Sequence, residues 1–176
     1  MEKMNKHFVF RKDGNCFANC IVGGCILQGD SKFLEDSSPQ LKIFNIETLY
    51  SSTPEDEFAP ALNYLYNNNY DVTVYDPSHL EPWGNNLQKL GKCFHNTNCS
   101  KDYITMLLKE NWCVVPSVYD SKKRPIHAIL LFRDSLYDPE NKGMWDSPLK
   151  VSDRLDDYII KSGDSFLIAF RKLRTP

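Results

Sequence analysis

The sequence has no long hydrophobic run, no excess of charge of either sign and no apolar N-terminal segment. No stretch approaches the roughly 18 consecutive apolar residues that a membrane-spanning helix needs, and the segment Met1 to His7 lacks the apolar centre of a secretion signal. The 21 Lys and Arg against 23 Asp and Glu give a net charge of −2, so no overall field attracts nucleic acid or anionic lipid. We expect a protein that binds neither nucleic acid nor membrane, and that is cytoplasmic or exported without a classical signal peptide.

Internal repeats, low-complexity tracts and long flexible linkers are also lacking. The chain of 176 residues has an ordinary length for one domain, and its 41% hydrophobic residues are enough for one sizeable core. The sequence therefore predicts a single domain over residues 1–176. It leaves the oligomeric state open.

Cysteine is too scarce for a disulfide-stapled protein of this length, because the chain has only six. Cys16, Cys20 and Cys25 fall within ten residues of one another. We interpret the cysteines as mostly reduced thiols, with a pair or two able to oxidise. The pattern leaves the redox state of these three open.

A second group, Cys93, His95, Cys99 and Cys113, brings thiols and an imidazole together in the middle of the chain. The group lacks the paired Cys-x2-4-Cys halves that structural zinc sites usually show. We therefore expect neither a metal nor a cofactor.

Apolar periodicity and turn residues predict helices first and antiparallel strands later, which is typical of an α+β domain. An N-terminal helix opening at Cys16 is expected to pack on a sheet built mainly from the C-terminal half, and Gly23-Gly24 leaves the far end of that helix open. The other predicted helices begin at Thr53, Ser100 and Ser152. The predicted strands are 7–11, 70–75, 112–119, 126–132, 136–139 and 165–171.

Cys16 follows the turn Asp13-Gly14-Asn15 and opens an apolar helix. The free N–H groups and the positive end of a helix dipole stabilise a thiolate at that position, so Cys16 is a candidate nucleophile. The backbone of the three turn residues, or the Asn15 side chain, could donate hydrogen bonds to a developing oxyanion. Cys20 is an alternative nucleophile, with fewer free N–H groups nearby. A buried structural thiol is the competing interpretation of Cys16.

His127 lies near the start of an otherwise apolar strand, where an imidazole needs polar partners. If the chain reverses at Arg133 to Ser135, Asp138 returns to the same end of the hairpin, and its carboxylate can orient the imidazole for a thiol. Asp134 and Asn141 are alternative orienting groups. An ordinary strand-edge His beside an Asp-Pro turn is the competing interpretation.

A Cys at the mouth of an N-terminal helix, followed by Val-Val-Pro-Ser-Val-Tyr, Ile-His-Ala-Ile-Leu-Leu-Phe and Leu-Tyr-Asp-Pro, resembles the papain-like cysteine peptidases. The resemblance is closest to the bacteriocin-processing group that cleaves double-glycine leaders. It implies a papain-like fold in which Cys16 is the nucleophile, His127 the general base and Asp138 the group that orients it. Where that family commonly has a Gln six positions before the Cys, this chain has Phe10, so the oxyanion role would pass to Asn15 and the turn amides.

Two other families share parts of the pattern. The segment Asp13-Gly14-Asn15-Cys16 resembles the nucleophile motif of ovarian-tumour-type deubiquitinases, although the downstream hairpin fits them less well. Bacterial effector glutamine deamidases use the same Cys-His-Asp set on a side-chain amide. The resemblance thus implies a thiol-dependent amide hydrolase acting on a protein or peptide, with peptide cleavage ahead of glutamine deamidation. A catalytically inactive papain-like binding module is the hypothesis from another class.

Overall fold

The computed structural model describes residues 16–30, 33, 54–75, 94–95, 101–119, 125–139, 148–155 and 165–174. The helices within these ranges are α1 (Cys16–Leu27), α2 (Pro54–Asn67), α3 (Lys101–Lys109) and α4 (Val151–Leu155). The strands are β1 (Tyr70–Tyr75), β2 (Phe94–His95), β3 (Cys113–Tyr119), β4 (Pro125–Ala128), β5 (Leu130–Phe132), β6 (Ser135–Tyr137), β7 (Leu149–Lys150) and β8 (Ser165–Lys172). None of the helices in these ranges is long and apolar enough to cross a membrane.

The described strands form one sheet in the order β2-β1-β8-β3-β5-β6-β7, and β4 pairs with β3 beside β5. The β1–β2 pair is parallel, and the other pairs are antiparallel. The expected α+β architecture, with an N-terminal helix on an antiparallel sheet, is confirmed. The predicted strand 7–11 lies outside the described residues, as do residues 156–161 of the last predicted helix.

Helices cover both faces of the sheet. Ile168 and Phe170 of β8 belong to a core that includes α1 and α2, whereas Leu167 and Ala169 belong to a second core that includes α3. Because successive strand residues point to opposite faces, a strand buried on both sides needs apolar residues throughout. This is the physical reason for the nearly continuous apolar strands of the C-terminal half.

Helix α1 is buried at every position from Phe17 to Cys25. Apart from Asn19 the helix is apolar on all sides, and such a helix is stable only in the interior of a protein. The Gly23-Gly24 pair does not end it, since the helix runs to Leu27 and stops at Gly29, which has a φ of 87°. The Gly29 N–H donates to the Ile26 carbonyl and the Asp30 N–H to the Cys25 carbonyl, both at 2.9 Å. These two bonds form a Schellman cap.

The side chain of Gln28 ties the end of α1 to the sheet. Its Nε2 donates to the Phe170 carbonyl at 2.8 Å, and its Oε1 accepts from the Lys172 N–H. Phe170 pairs with Cys113, the first residue of β3, and Lys172 lies beyond the start of that strand. One amide side chain therefore bonds to β8 at the point where β3 begins, which holds α1 at a defined position over the sheet.

The segment 126–132, predicted as one continuous strand, is divided at Ile129 into β4 and β5. The Ile129 N–H donates to the Pro116 carbonyl at 3.3 Å. Proline has no N–H to return the second bond of such a pair, so the ladder is interrupted there. The break comes two residues after His127 and separates the short strand that carries it from the hairpin that follows.

Candidate active site

Cys16 is the first residue of α1, as the sequence predicts, and its side chain is only partly buried. Residues Phe17 to Cys25 of the helix are buried below it. The first N–H groups of a helix have no partner within the helix, and the N-terminal end of its dipole favours negative charge. The position therefore combines access from solvent with an environment that suits an anionic sulfur.

The structure brings His127 and Asp138 together. The His127 Nε2 lies 3.0 Å from the Asp138 Oδ1, and the two side chains are only 20% and 13% exposed. The contact arises from the hairpin, because Asp138 directly follows β6 while β6 pairs with β5, close behind the strand that carries His127. Such a carboxylate orients the imidazole and decides which ring nitrogen carries a proton.

Cys16 contacts the same imidazole. Burial by itself lowers the pKa of His127, but hydrogen bonding to Asp138 and to Cys16, together with their negative charge, outweighs burial and raises the pKa to about 10. Asp138 holds Nε2, and the other ring nitrogen, Nδ1, is closed off from solvent. The side chains thus form a chain in the order sulfur, imidazole, carboxylate.

Cys20, the alternative nucleophile, has a different environment. Its side chain is completely buried, and burial raises the pKa of its thiol, with the neighbouring Cys16, Asp138 and Cys113 raising it further. A thiol held in its neutral form away from solvent is a poor nucleophile. Among the described residues, Cys16, Cys20, Cys25 and Cys113 form no disulfide.

Of the two alternative orienting groups, only Asp134 lies within the described residues, and it is placed away from His127. Asp134 lies exposed in the two-residue turn between β5 and β6, where its carbonyl accepts from the Val151 N–H at 3.1 Å. Asn141 lies outside the described residues, as do the oxyanion candidates Asp13, Gly14 and Asn15. The described carboxylate in contact with the imidazole is therefore Asp138.

The residues considered as zinc ligands lie only partly within the described ranges. Cys93 and Cys99 lie outside the described residues, and only the backbone of His95 is described, in β2. Cys113 is buried in the core, with its Sγ 3.5 Å from the Gly24 carbonyl oxygen. Within the described ranges, no group of three or more His, Cys, Asp and Glu side chains could hold a metal ion.

A buried carboxylate that sequence reasoning missed lies at the other end of α1. Asp30 is 4% exposed, and its Oδ2 accepts from the hydroxyls of Tyr70 at 3.0 Å and Tyr64 at 3.3 Å. The same oxygen lies 3.4 Å from the Lys172 Nζ. The only sequence signal was an acid directly after a helix-ending Gly, and its partners come from α2, β1 and β8. The group connects all three elements to the end of α1.

Comparison with known proteins yields no match, since no family model, no curated protein and no solved structure is similar to this chain.

Proposed function

We propose that the protein is a thiol-dependent amide hydrolase, and specifically a cysteine peptidase, in which Cys16 attacks, His127 transfers protons and Asp138 orients the imidazole. One observation carries the proposal: a partly exposed thiol at a helix N-terminus and a carboxylate contact the same half-buried imidazole. A nucleophile, a base and a group that orients the base, each in reach of the next, are the parts that nucleophilic catalysis needs.

The geometry suits acyl transfer in two halves. The Cys16 sulfur attacks the carbonyl carbon of the amide, and the carbonyl electron pair moves to the oxygen. The tetrahedral intermediate collapses to a thioester as His127 donates its proton to the departing nitrogen. Water then attacks the thioester while His127 accepts one of its protons. The carbon–sulfur bond breaks, which releases the carboxylic acid product and regenerates the sulfur of Cys16.

The raised pKa of His127 fits the first half of this reaction. An imidazole that keeps its proton at neutral pH stabilises a neighbouring thiolate and is ready to protonate the leaving group. Asp138 stabilises the imidazolium and holds its orientation. The first N–H groups of α1 are candidate donors to the oxyanion, because they have no partner within the helix.

The papain-like fold is part of the same proposal. The described architecture supports it, because a buried helix that begins at the Cys packs against the antiparallel sheet next to the strands that position the His and the Asp. The opposite face of the sheet, which packs against α3, neither supports nor opposes a papain-like fold. Under this proposal, the substrate binds on the surface around Cys16.

The test is the reactivity of Cys16 toward iodoacetamide at neutral pH, with the modified residue identified by mass spectrometry. Among the four cysteines within the described residues, we expect labelling of Cys16 alone, since Cys20, Cys25 and Cys113 are buried. The His127→Ala protein should remain folded and label much more slowly.

The matched control pair is Asp138→Asn and Asp134→Asn. Both changes neutralise an Asp close to the same hairpin, but only Asp138 contacts His127. Slower labelling in the first variant alone supports the proposal. Equal rates in the wild type and the His127→Ala protein would contradict it and favour the inactive binding module.

Product masses then separate the two hydrolase reactions. Incubation with a mixed peptide library yields two fragments per substrate if a peptide bond is cleaved. Deamidation instead leaves each peptide intact and changes one glutamine into glutamate. The first outcome identifies a peptidase, and the second identifies a deamidase that uses the same three residues.

A further inference from the structure

A cavity of about 580 Å³ lies on the side of the sheet away from α1. Helix α3, the turn between β5 and β6, and the start of α4 form its walls. This volume is within the range of roughly 300–1,000 Å³ that small-molecule sites occupy. None of the three residues of the proposed catalytic set lines it, so its occupant is independent of the hydrolase proposal.

The lining combines an apolar floor with a basic rim. Leu108 and Val151 are almost fully buried and face the cavity from two different elements. Among the described residues, the rim has the three cations Lys101, Lys109 and Arg133 and the acid Asp134, an excess of two positive charges in a chain whose net charge is −2. A concave apolar surface with a few charged groups at its edge is typical of sites that bind an organic ion of the opposite sign.

Arg133 occupies an unusual position for its residue type. It has a φ of 54° in a two-residue hairpin turn, where Gly and Asn are the favoured residues. Its Nε donates to the Asn111 Oδ1 at 3.3 Å, and its guanidinium lies 5.1 Å from the centre of the Phe132 ring. The turn itself does not call for an arginine, but these two contacts hold the guanidinium at the edge of the cavity.

We propose that this cavity binds a small organic anion with an apolar body. The body packs on Leu108 and Val151, and the anionic group, a carboxylate or a sulfonate, lies beside Arg133 and Lys109. Guanidinium and ammonium groups at such a rim contribute both charge and hydrogen-bond donors.

The experiment titrates the full chain with the fluorescent probe 1-anilinonaphthalene-8-sulfonate, which joins an apolar ring system to one sulfonate. We expect saturable binding with one probe per chain, weakened by added salt. The variant Arg133→Asn keeps a residue suited to a positive φ, and together with Lys109→Gln it should weaken probe binding roughly tenfold. Lys150→Gln, an exposed lysine on β7 that does not line the cavity, is the matched control and should change nothing.

Two further variants test the place of binding. Thr105 lines the cavity from the exposed side of α3, so Thr105→Trp should fill the space and abolish binding, whereas Thr105→Ala should preserve it. A Cys16→Ala protein should bind the probe normally. Unchanged affinity in Thr105→Trp, or an equal loss in Lys150→Gln, would overturn the proposal. The melting temperature of each variant shows that the fold is retained.

Discussion

Gly24 lies where α1 packs tightly against the sheet, and replacing it with Ala should destabilise the protein. A Cβ atom at Gly24 would lie 2.4 Å from Cζ and 3.0 Å from Cε2 of Phe170, and 3.2 Å from the Sγ of Cys113. Carbon atoms in contact prefer about 3.5–4.0 Å, so the helix and the ring would have to separate by about 1 Å. Phe170 is fully buried and packs edge-on against Tyr70, with ring centres 5.8 Å apart. The Phe170 ring therefore cannot simply move away from the added methyl group.

The size of the effect follows from two opposing terms. Overpacking a core costs about 1–3 kcal/mol, while Ala in place of Gly in a helix gains up to about 1 kcal/mol. We expect Gly24→Ala to lower the free energy of unfolding in urea by about 1–2 kcal/mol. Because α1 also carries Cys16, the displacement should slow iodoacetamide labelling of Cys16 about tenfold or more.

A double-mutant cycle distinguishes this mechanism from a general weakening of the helix. Phe170→Leu, which shortens the opposing side chain, should restore part of the stability lost in Gly24→Ala. Gly29→Ala is the control: Gly29 has open space around it but a φ of 87°, so this variant is destabilised by backbone strain that Phe170→Leu cannot relieve. If Gly24→Ala is as stable as the wild type, or is not helped by Phe170→Leu, the packing argument is wrong.

Two further predictions concern the buried charges. Asp30→Asn should lower the free energy of unfolding in urea by about 1–3 kcal/mol, and Tyr70→Phe should lower it by about 2 kcal/mol or less. The reason is that each change weakens hydrogen bonds to a buried carboxylate. No loss of stability in either variant would contradict this role of Asp30. The raised pKa of His127 should stabilise the fold below the unfolded value of about 6.5, and this contribution should decline as pH rises toward the folded value of about 10. Asp138→Asn should remove most of that decline, and an unchanged pH profile would refute the link.

Local patterns in the sequence predicted most helices and strands. The helix 54–67 and the strand 70–75 agree with the structure because Thr-Pro and Asn-Asn-Asn mark the two ends of the helix, and Asn69 takes up a φ of 61° where the helix ends. Asn111, with a φ of 62°, has the same position after α3. The ends of these helices depend on neighbouring residues in the sequence, so they can be predicted without knowledge of the fold.

The contact between His127 and Asp138 could also be predicted from the sequence, because a short hairpin fixes which residues return to the same end of the paired strands. The division of the strand at Ile129 was not, although Pro116 is visible in the sequence. Only the pairing of β3 with this segment places Pro116 opposite Ile129, where the missing N–H interrupts the ladder.

The sequence by itself thus determined the helix that opens at Cys16, the apolar strands and the hairpin, since these depend on neighbours along the chain. Tertiary structure alone decided that the Cys16 thiol reaches His127 and that Asp30 meets Lys172. Both contacts join distant segments across the packed face of the sheet. They depend on how closely α1 approaches β8, and the lack of a side chain at Gly24, together with the side chains of Gln28 and Phe170, sets that approach.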